Sequence, residues 1–317
     1  MAAKIGLSTR GLGNVNAVLP KISAAVEERA KKGNKNIDMG TSENWLIRQE
    51  LIALCKDAIQ EGLAEKVGMA GFNLVPKKAN AYSQHLSYPD GFAGDTALLE
   101  SLAAFFNQYF KPVVPVDVSH LATAPGAAAS LDALLYNICE PGDGVLVPGP
   151  FWSKCSPELS TAQFTNHHSL DGFDWLFNVR SGVQPVLVNV DSLDHTFTSN
   201  LIPQMTKAME ESTRPIKGLV LTNPHNPFGQ CYPKAVIEKC MKFCHERHIH
   251  FISDEVYGMS GFTSEDFPKP TPFVSALSID VCGLGYDLSQ VHTIWSISKD
   301  FGSSGFRMVG YASSLNT

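Results

Sequence analysis

The chain alternates short apolar runs with segments of helical periodicity, and this alternation restricts its fold more than any other feature. Several runs are continuously apolar, as expected for strands that are buried on both faces of a sheet. Strands are predicted at 144–148, 185–190, 218–223, 250–255, 292–298 and 308–313. Helices are predicted at 20–32, 46–66, 95–110, 126–139, 199–212 and 233–248. This order indicates an α/β fold of three layers, α/β/α, in which helices cover a mainly parallel sheet.

Composition narrows the possible partners and compartments. At 317 residues with 44% apolar content, the chain can bury a large core. Its net charge of −6, without long runs of like charge, disfavours nucleic acid and anionic membranes as partners. A cytoplasmic location is expected, because no apolar stretch approaches the length of a membrane span and the start lacks a secretory signal. The absence of acidic residues before Glu27 leaves a mitochondrial transit peptide as the alternative.

The seven cysteines do not suggest a disulfide framework, because their number is odd and their spacing is irregular. Three possible metal ligands, Cys240, Cys244 and His248, are spaced to lie on one face of a helix. The same segment contributes Val236 and Phe243, so a packed helix face is the preferred interpretation. No metal site is therefore predicted.

Residues that follow the apolar runs are the candidates for chemistry, because ligands gather at the carboxyl ends of parallel strands. Lys299 follows one run, and a lysine amine reacts with an aldehyde when it is desolvated or lies near positive charge. A lone lysine in this place would ordinarily be a surface residue. Its neighbours Ser296, Ser298 and Arg307 change that interpretation, because together they provide donors for a phosphate dianion.

A carboxylate and a phenol follow another run. Asp254 can pair with the protonated ring nitrogen of an aldehyde cofactor, and the Tyr257 hydroxyl can donate a hydrogen bond to an oxygen on the ring of that cofactor. The ordinary alternatives are a helix cap and a packed tyrosine. Two prolines and a glycine after a third run fix a turn at 222–229, which can hold the Asn226 amide toward the same oxygen.

A weaker signal lies at 124–130, where small residues precede a predicted helix. Backbone N–H groups of Ala127 and Ala128 can approach a phosphate there, and the helix dipole favours the anion. Alanine-rich helix starts are common, so this segment alone is weak evidence for a phosphate site. It supports such a site only together with the other segments described above.

Three of these segments resemble motifs of the fold-type I pyridoxal-phosphate-dependent aminotransferases of class I/II. They are Asn-Pro-x-Asn-Pro-x-Gly at 223–229, Asp-Glu-x-Tyr at 254–257, and Ser-x-Ser-Lys at 296–299 with an arginine eight residues beyond the lysine. The resemblance extends from about residue 36 to 313 and implies pyridoxal 5′-phosphate as cofactor. It implies that Lys299 is the Schiff-base lysine. It also implies that Lys299, Asp254 and Tyr257 are the catalytic residues. The implied cofactor ligands also include Asn226, Ser296, Ser298 and Arg307.

The same resemblance bears on two less specific positions. The family usually carries a hydroxyl and a glycine where this chain has alanines at 127–129, so phosphate contacts would come from backbone amides or from Ser130. The family also places an aromatic ring flat against the pyridine. Trp152 is the matching candidate and Phe151 the alternate, although a packed core aromatic is the ordinary explanation for either.

Two segments resemble the branch of the family that contains the 1-aminocyclopropane-1-carboxylate (ACC) synthases. Residues 38–45 resemble its Gly-x-x-Glu-Asn box, which implies that Glu43 and Asn44 bind substrate. Residues 88–94 resemble the part that reaches the neighbouring subunit's site. The tyrosine of that part falls on Phe92, a departure that removes a hydroxyl from the site unless the tyrosine at position 88 reaches the same place.

The resemblance implies an N-terminal arm with part of a small domain at 1–45 and a cofactor-binding large domain at 46–317. The C-terminal small domain, which supplies an arginine for the substrate carboxylate, is expected to be missing. The expected enzyme is a homodimer with aminotransferase-like activity on an L-amino acid. ACC formation from S-adenosylmethionine and carbon-sulfur lysis are the alternative reactions. A cofactor-binding protein with weak turnover is the alternative from another class.

Overall fold

The computed structural model describes residues 43–63, 91–151, 182–190, 192 and 195–313, besides four single positions between 23 and 31. Most of the arm predicted at 1–45, including most of the helix at 20–32, lies outside these residues. The domain boundary at residue 45 therefore stays a prediction. No helix in the described ranges is both long and apolar enough to cross a membrane.

Seven strands in the described part of the chain form one sheet. They are β1 (Leu121–Ala124), β2 (Gly144–Pro148), β3 (Gln184–Val188), β4 (Ile216–Thr222), β5 (His250–Asp254), β6 (Val291–Ser296) and β7 (Val309–Ser313). Their order is β1-β7-β6-β5-β4-β2-β3. Strands β2 to β6 run parallel, whereas β7 is antiparallel to β1 and β6. The predicted mainly parallel α/β sheet is confirmed.

Five of the following six helices of the described residues lie in predicted helical segments. The sixth, at Ile297–Asp300, was not predicted and includes the last two residues of the strand predicted at 292–298. The six helices are α1 (Arg48–Leu63), α2 (Thr96–Phe105), α3 (Ala127–Ile138), α4 (Leu201–Glu211), α5 (Lys234–Glu246) and the short α6 (Ile297–Asp300). The helix predicted at 95–110 is divided, because α2 gives way to a π-helical turn at Phe106–Phe110. That turn ends at Lys111, whose φ of 51° leaves the helical region.

Strand β1 is the one strand that the sequence pattern missed. Its four residues, LATA, are too few for a periodicity and include two alanines, which do not favour strands. It pairs with β7 at the edge of the sheet, with Leu121 opposite Ala312. It leads into Gly126, the residue before α3.

Helices cover both faces of the sheet. Leu219 and Leu221 of β4 are buried in one cluster with side chains of α4 and α5. Val220, between them, packs in a second cluster with side chains of α3. Apolar side chains therefore alternate between two covered faces, which confirms the three-layer architecture. Each fully buried leucine contributes roughly 1.5–3 kcal/mol to folding.

The cysteines of α5 belong to a packed helix face, as the sequence predicted. Val236, Cys240, Phe243 and Cys244 are all buried against the sheet. Burial raises the pKa of the Cys240 thiol to about 12. The thiol is therefore protonated at neutral pH and acts as a small apolar side chain.

A chain of polar side chains crosses three strands at the end of the sheet where β5 and β6 begin. His250 Nδ1 lies 2.8 Å from His292 Nε2. On its other side, His292 Nδ1 lies 2.8 Å from the Tyr311 hydroxyl and 2.9 Å from Ser313 Oγ. Burial lowers the pKa of His292 to about 3 and also lowers the pKa of His250. The fold therefore favours both imidazoles in their neutral form.

Replacing His292 with glutamine should reveal the cost of keeping that imidazole neutral. Its pKa is lower in the folded chain than the ordinary 6.5, so its stabilisation is present above pH 6.5 and is lost as the pH falls toward 3. Urea unfolding should show that the wild type loses about 2 kcal/mol relative to H292Q between pH 8 and pH 5. H248Q, at an exposed histidine, controls for the loss of an imidazole. An equal stability difference at both pH values would contradict this account.

Candidate active site

The carboxyl ends of β4, β5 and β6 lie side by side. Thr222, the last residue of β4, pairs in register with Asp254, the last residue of β5. Asp254 in turn pairs with Ile294 of β6. The segments that follow these strands therefore leave the sheet at one edge, and they carry Asn226, Tyr257 and Lys299. The structure therefore brings together the three segments that carry the predicted motifs.

Asp254 is a partly buried residue whose carboxylate keeps one oxygen open within the described part of the chain. The Thr222 hydroxyl donates to its Oδ2 at 3.3 Å. Its Oδ1 is buried and has no hydrogen-bond partner among the described residues. Burial raises the pKa of Asp254 to about 6, against the hydrogen bonds from Val256 and Thr222 that lower it. A buried oxygen left without a donor is costly, so this position suits a cationic N–H donor from a ligand.

Asn226 and Tyr257 contact each other directly. The Asn226 amide donates to the Tyr257 hydroxyl over 3.1 Å. The turn that carries Asn226 is fixed by Asn223, whose side chain donates to the Val274 carbonyl at 3.0 Å and accepts from Tyr232 N at 2.9 Å. Burial, followed by the negative charge of Asp254, raises the pKa of Tyr257. The phenol therefore stays protonated and can donate to an acceptor.

Arg307 lies against the start of α3. A Cβ added at Gly126, which has φ +97°, would collide with Arg307 Nη2. The guanidinium also donates to the carbonyls of Ser304 at 3.0 Å and Pro125 at 3.5 Å. Helix α3 begins at Ala127 without a side-chain cap from Gly126, and the Gly126 carbonyl accepts from Ala129 N and Ser130 N. The N–H groups of Ala127 and Ala128, in the first turn, are therefore the ones placed to meet a ligand. A helix start beside an arginine is suited to a phosphate.

The serines of the Ser-x-Ser-Lys segment organise the short helix that carries the lysine. Ser296 Oγ accepts from Ser298 N at 3.1 Å and donates to the Met308 carbonyl at 3.0 Å. The two hydroxyls lie 2.8 Å apart. Ser296 is thus the N-cap of α6, and the Ser298 hydroxyl lies next to the Ser296 hydroxyl, one residue before Lys299.

The Lys299 amine is tuned by burial and by two nearby charges. Burial lowers its pKa, the Glu43 carboxylate opposes that change, and the Arg307 guanidinium adds to it. A lysine with a lowered pKa is a better nucleophile and base near neutral pH. This electrostatic environment supports the prediction that Lys299 is the reactive amine.

Glu43 and Asn44 pack against the loop that follows Lys299. Glu43 accepts from Ser304 Oγ at 2.9 Å and pairs with Arg48 at 3.3 Å. The hydrogen bond from Ser304, followed by the charge of Arg48, keeps the pKa of Glu43 low. The Asn44 backbone lies close enough to Gly302 that an added Cβ there would be 2.9 Å from its carbonyl oxygen. The Asn44 side chain accepts from Leu46 N at 3.0 Å.

Two predicted positions are not brought to the site by the described residues. Phe92 is fully exposed, so its side chain is not buried at the edge where Lys299 lies. Trp152, the predicted stacking ring, lies outside those ranges, whereas Phe151 is partly buried against the cluster that contains α3. The roles of Phe92 and Trp152 stay predictions.

Sequence reasoning missed two buried supports of the site. Glu255, next to Asp254, accepts from Ser253 Oγ at 2.8 Å, Ser275 Oγ at 2.6 Å and Ala276 N at 2.7 Å. Burial raises its pKa to about 7. His225 of the Asn226 turn is buried as well, which lowers its pKa to about 4. An acidic residue inside an apolar segment was the signal for Glu255, but two of its three partners, Ser275 and Ala276, lie 20 and 21 residues away along the chain.

Comparison with known proteins identifies the family. The profile of the aminotransferase class I and II family matches residues 41–169 and 179–317, so the chain belongs to this family. Enzymes of this family depend on pyridoxal phosphate. A probable aminotransferase, aclI, of Aspergillus oryzae is 52% identical over 307 residues, which cover 97% of this chain and 64% of that protein.

More distant similarities agree with this assignment. A probable inactive ACC synthase-like protein 2 of Mus musculus is 30% identical over 311 residues, covering 96% of this chain and 47% of that protein. The solved aspartate aminotransferase of Thermotoga maritima shares the fold, with a TM-score of 0.66 at 18% identity, over 97% of this chain and 66% of that one. The chain thus spans about half to two thirds of the length of these proteins.

Changing Gly126 to alanine should weaken the binding of pyridoxal phosphate, because the new methyl group would displace the Arg307 guanidinium. Loss of one charge-assisted contact corresponds to about ten- to a hundred-fold in affinity, measurable by calorimetric titration. Gly142 offers a matched control: its φ is +95°, but a Cβ there meets nothing within 4 Å. If G126A binds the cofactor as tightly as G142A, Arg307 does not hold the phosphate.

Proposed function

We propose that this chain binds pyridoxal 5′-phosphate at the carboxyl edge of β4, β5 and β6 and acts as an aminotransferase-like enzyme on an L-amino acid. The observation that carries the proposal is the buried Oδ1 of Asp254, to which none of the described residues donates a hydrogen bond. A protonated pyridine nitrogen would supply the missing donor and the missing positive charge. The other contacts described above fit the remaining groups of the same molecule.

Each part of the cofactor has a matching set of residues. The start of α3, Arg307 and Ser298 would hold the phosphate, since they combine helix N–H groups, a guanidinium and a hydroxyl. Asn226 and Tyr257 would bond the ring oxygen. Lys299 provides the amine that reacts with the aldehyde carbon. The alanines of α3 offer backbone contacts only, so Arg307 would carry most of the charge neutralisation at the phosphate.

The proposed chemistry depends on where protons and charges are held. When bound, the cofactor supplies an electron sink that stabilises negative charge at the substrate α carbon. Asp254, as a carboxylate, keeps the ring nitrogen protonated and so preserves that sink. Once the substrate amine has displaced Lys299 from the aldehyde carbon, Lys299 Nζ would take the α proton and deliver it to another carbon. This role requires the neutral amine that burial favours. Tyr257 keeps its proton and donates to the ring oxygen.

A second reaction deserves a test because of Glu43. Its carboxylate is held by Ser304 and Arg48 near enough to Lys299 to affect the pKa of that lysine. A fixed anion at this place could bind a cationic substrate group, and an ACC synthase 7 of Arabidopsis thaliana is 27% identical to this chain over 273 residues. ACC formation from S-adenosylmethionine is therefore the alternative, and carbon-sulfur lysis is a third possibility. Weak turnover by a cofactor-binding chain is the alternative outside catalysis.

A homodimer is also proposed. Trp45 and Leu46 are largely exposed in the single chain, as are Ile52, Leu54 and Ile59 of α1. Exposed apolar side chains concentrated on one segment are typical of an interface. A second copy of the chain is the partner that the family resemblance implies. A cytoplasmic location is a separate prediction.

The proposed activity is tested by adding amino acids to the purified, cofactor-loaded chain. A visible absorbance band should form when pyridoxal phosphate binds Lys299, and an L-amino acid that is a substrate should remove it. Analysis of the products separates a keto acid from ACC and from a released thiol. Retention of the band with every L-amino acid and with S-adenosylmethionine would leave only the cofactor-binding function.

Asp254→Asn should weaken cofactor binding and remove most of the turnover. The amide cannot balance a protonated ring nitrogen, and a lost charge-assisted hydrogen bond corresponds to about ten- to a hundred-fold in affinity. The matched control is Glu255→Gln, because Glu255 is the neighbouring buried carboxylate but has all its partners within the protein. Equal effects of the two substitutions would show that burial, and not contact with the ring, explains the loss.

A further inference from the structure

Asp300 directly follows Lys299 and receives three hydrogen bonds from two other segments. Its Oδ2 accepts from Met259 N at 2.9 Å and from Trp295 Nε1 at 2.7 Å. Its Oδ1 accepts from Ser260 Oγ at 2.6 Å. None of these donors is a cation, although the carboxylate is half-buried. Three hydrogen bonds offset the cost of holding this carboxylate partly away from water, and they fix its position relative to both segments.

One of the two segments carries Tyr257. Ser260 N donates to the Tyr257 carbonyl at 2.9 Å, so the residues from Tyr257 to Ser260 form a turn. Asp300 binds the far side of this turn through Met259 and Ser260. The contacts therefore run without a break from the residue after Lys299 to the backbone of Tyr257, and from its hydroxyl to Asn226.

The other segment provides a rigid anchor. Trp295 of β6 is buried, and its ring centroid lies 4.4 Å from that of Phe105 and 5.6 Å from that of Phe301. An indole fixed in this way presents its N–H in one direction only. Asp300 is therefore held at a defined place relative to β6.

The lysine needs such external support because α6 has only four residues. A helix of this length has few internal hydrogen bonds and little stability of its own. Ser296 secures its beginning through Ser298 N, and Asp300 secures its end. The backbone of Lys299 is therefore held from both sides.

We propose that Asp300 is a positioning residue that fixes Lys299 and Tyr257 relative to each other, so that the amine and the phenol act on neighbouring groups of one ligand. This inference rests on the proposed function. The charge of Asp300 has a second effect, since it contributes to the raised pKa of Tyr257 after burial and Asp254. Geometry and charge can be separated by substitution.

Two substitutions make that separation. Asp300→Asn keeps an oxygen for Met259 N and Trp295 Nε1, and its amide can donate to Ser260 Oγ, so the geometry survives without the charge. Asp300→Ala removes both. Asp287→Ala is the matched control, because Asp287 caps a short helix at the opposite end of β6 through Ser289 and lies far from the turn of Tyr257.

The first measurement uses cofactor-free protein. Hydrogen-deuterium exchange at the Met259 amide should be about ten-fold faster in D300A than in the wild type, because its acceptor is gone. D300N and D287A should exchange like the wild type. An unchanged rate in D300A would overturn the proposal whether or not the chain binds pyridoxal phosphate.

The second measurement titrates the visible band of the cofactor-loaded protein with pH. D300A should raise the midpoint by about one pH unit, because a phenol that donates to the ring oxygen favours the deprotonated form and Tyr257 is no longer held in that place. Cofactor binding should weaken about ten-fold, since one hydrogen bond is lost. D300N should move the midpoint less. If D300A does not fold, Ser260→Ala removes one of the three donors and should shift the midpoint in the same direction by a smaller amount. A folded D300A or S260A with the wild-type midpoint contradicts the inference, whereas a wild type without any visible band contradicts the proposed function instead.

Discussion

The parallel, in-register pairing of β4, β5 and β6 is the constraint on which the rest of the site depends. It places Thr222 beside Asp254, so the hydroxyl bonds one carboxylate oxygen and leaves the other open. A shift of one residue would turn Asp254 to the opposite face of the sheet and bring Ser253 into its place. The close packing of helices on both faces opposes such a shift, because every side chain of the strand would have to find a new neighbour.

The charges of the site are arranged around this edge. The Asp254 carboxylate lies at the end of β5, where burial raises its pKa to about 6, and the Arg307 guanidinium lies at the start of α3. Lys299 is influenced by Arg307 and by Glu43 in opposite directions. A ligand with a cationic ring and an anionic phosphate complements both ends at once. Among the described residues, Asp254 Oδ1 has no donor and Arg307 donates to the neutral carbonyls of Ser304 and Pro125, which is the physical reason why the site suits such a ligand.

The sequence predicted the architecture better than the supports of the site. Six strands and the three-layer fold followed from apolar runs, since burial on both faces leaves a clear pattern. β1 was missed because four residues carry no period. The supporting roles of Glu255 and Asp300 depend on partners at Ser275 and Ser260, whose distance along the chain no local pattern encodes. Trp152 lies outside the described residues, so its role rests on resemblance alone.

The central claim is that Lys299, and no other lysine, bonds to the cofactor at this edge. Borohydride reduction of the chain with pyridoxal phosphate, followed by peptide mass mapping, tests it most directly. The account predicts one stoichiometric adduct on the peptide that contains Lys299, and its loss in Lys299→Ala. A stoichiometric adduct on another lysine, such as Lys242 or Lys269, would contradict the assignment of the site.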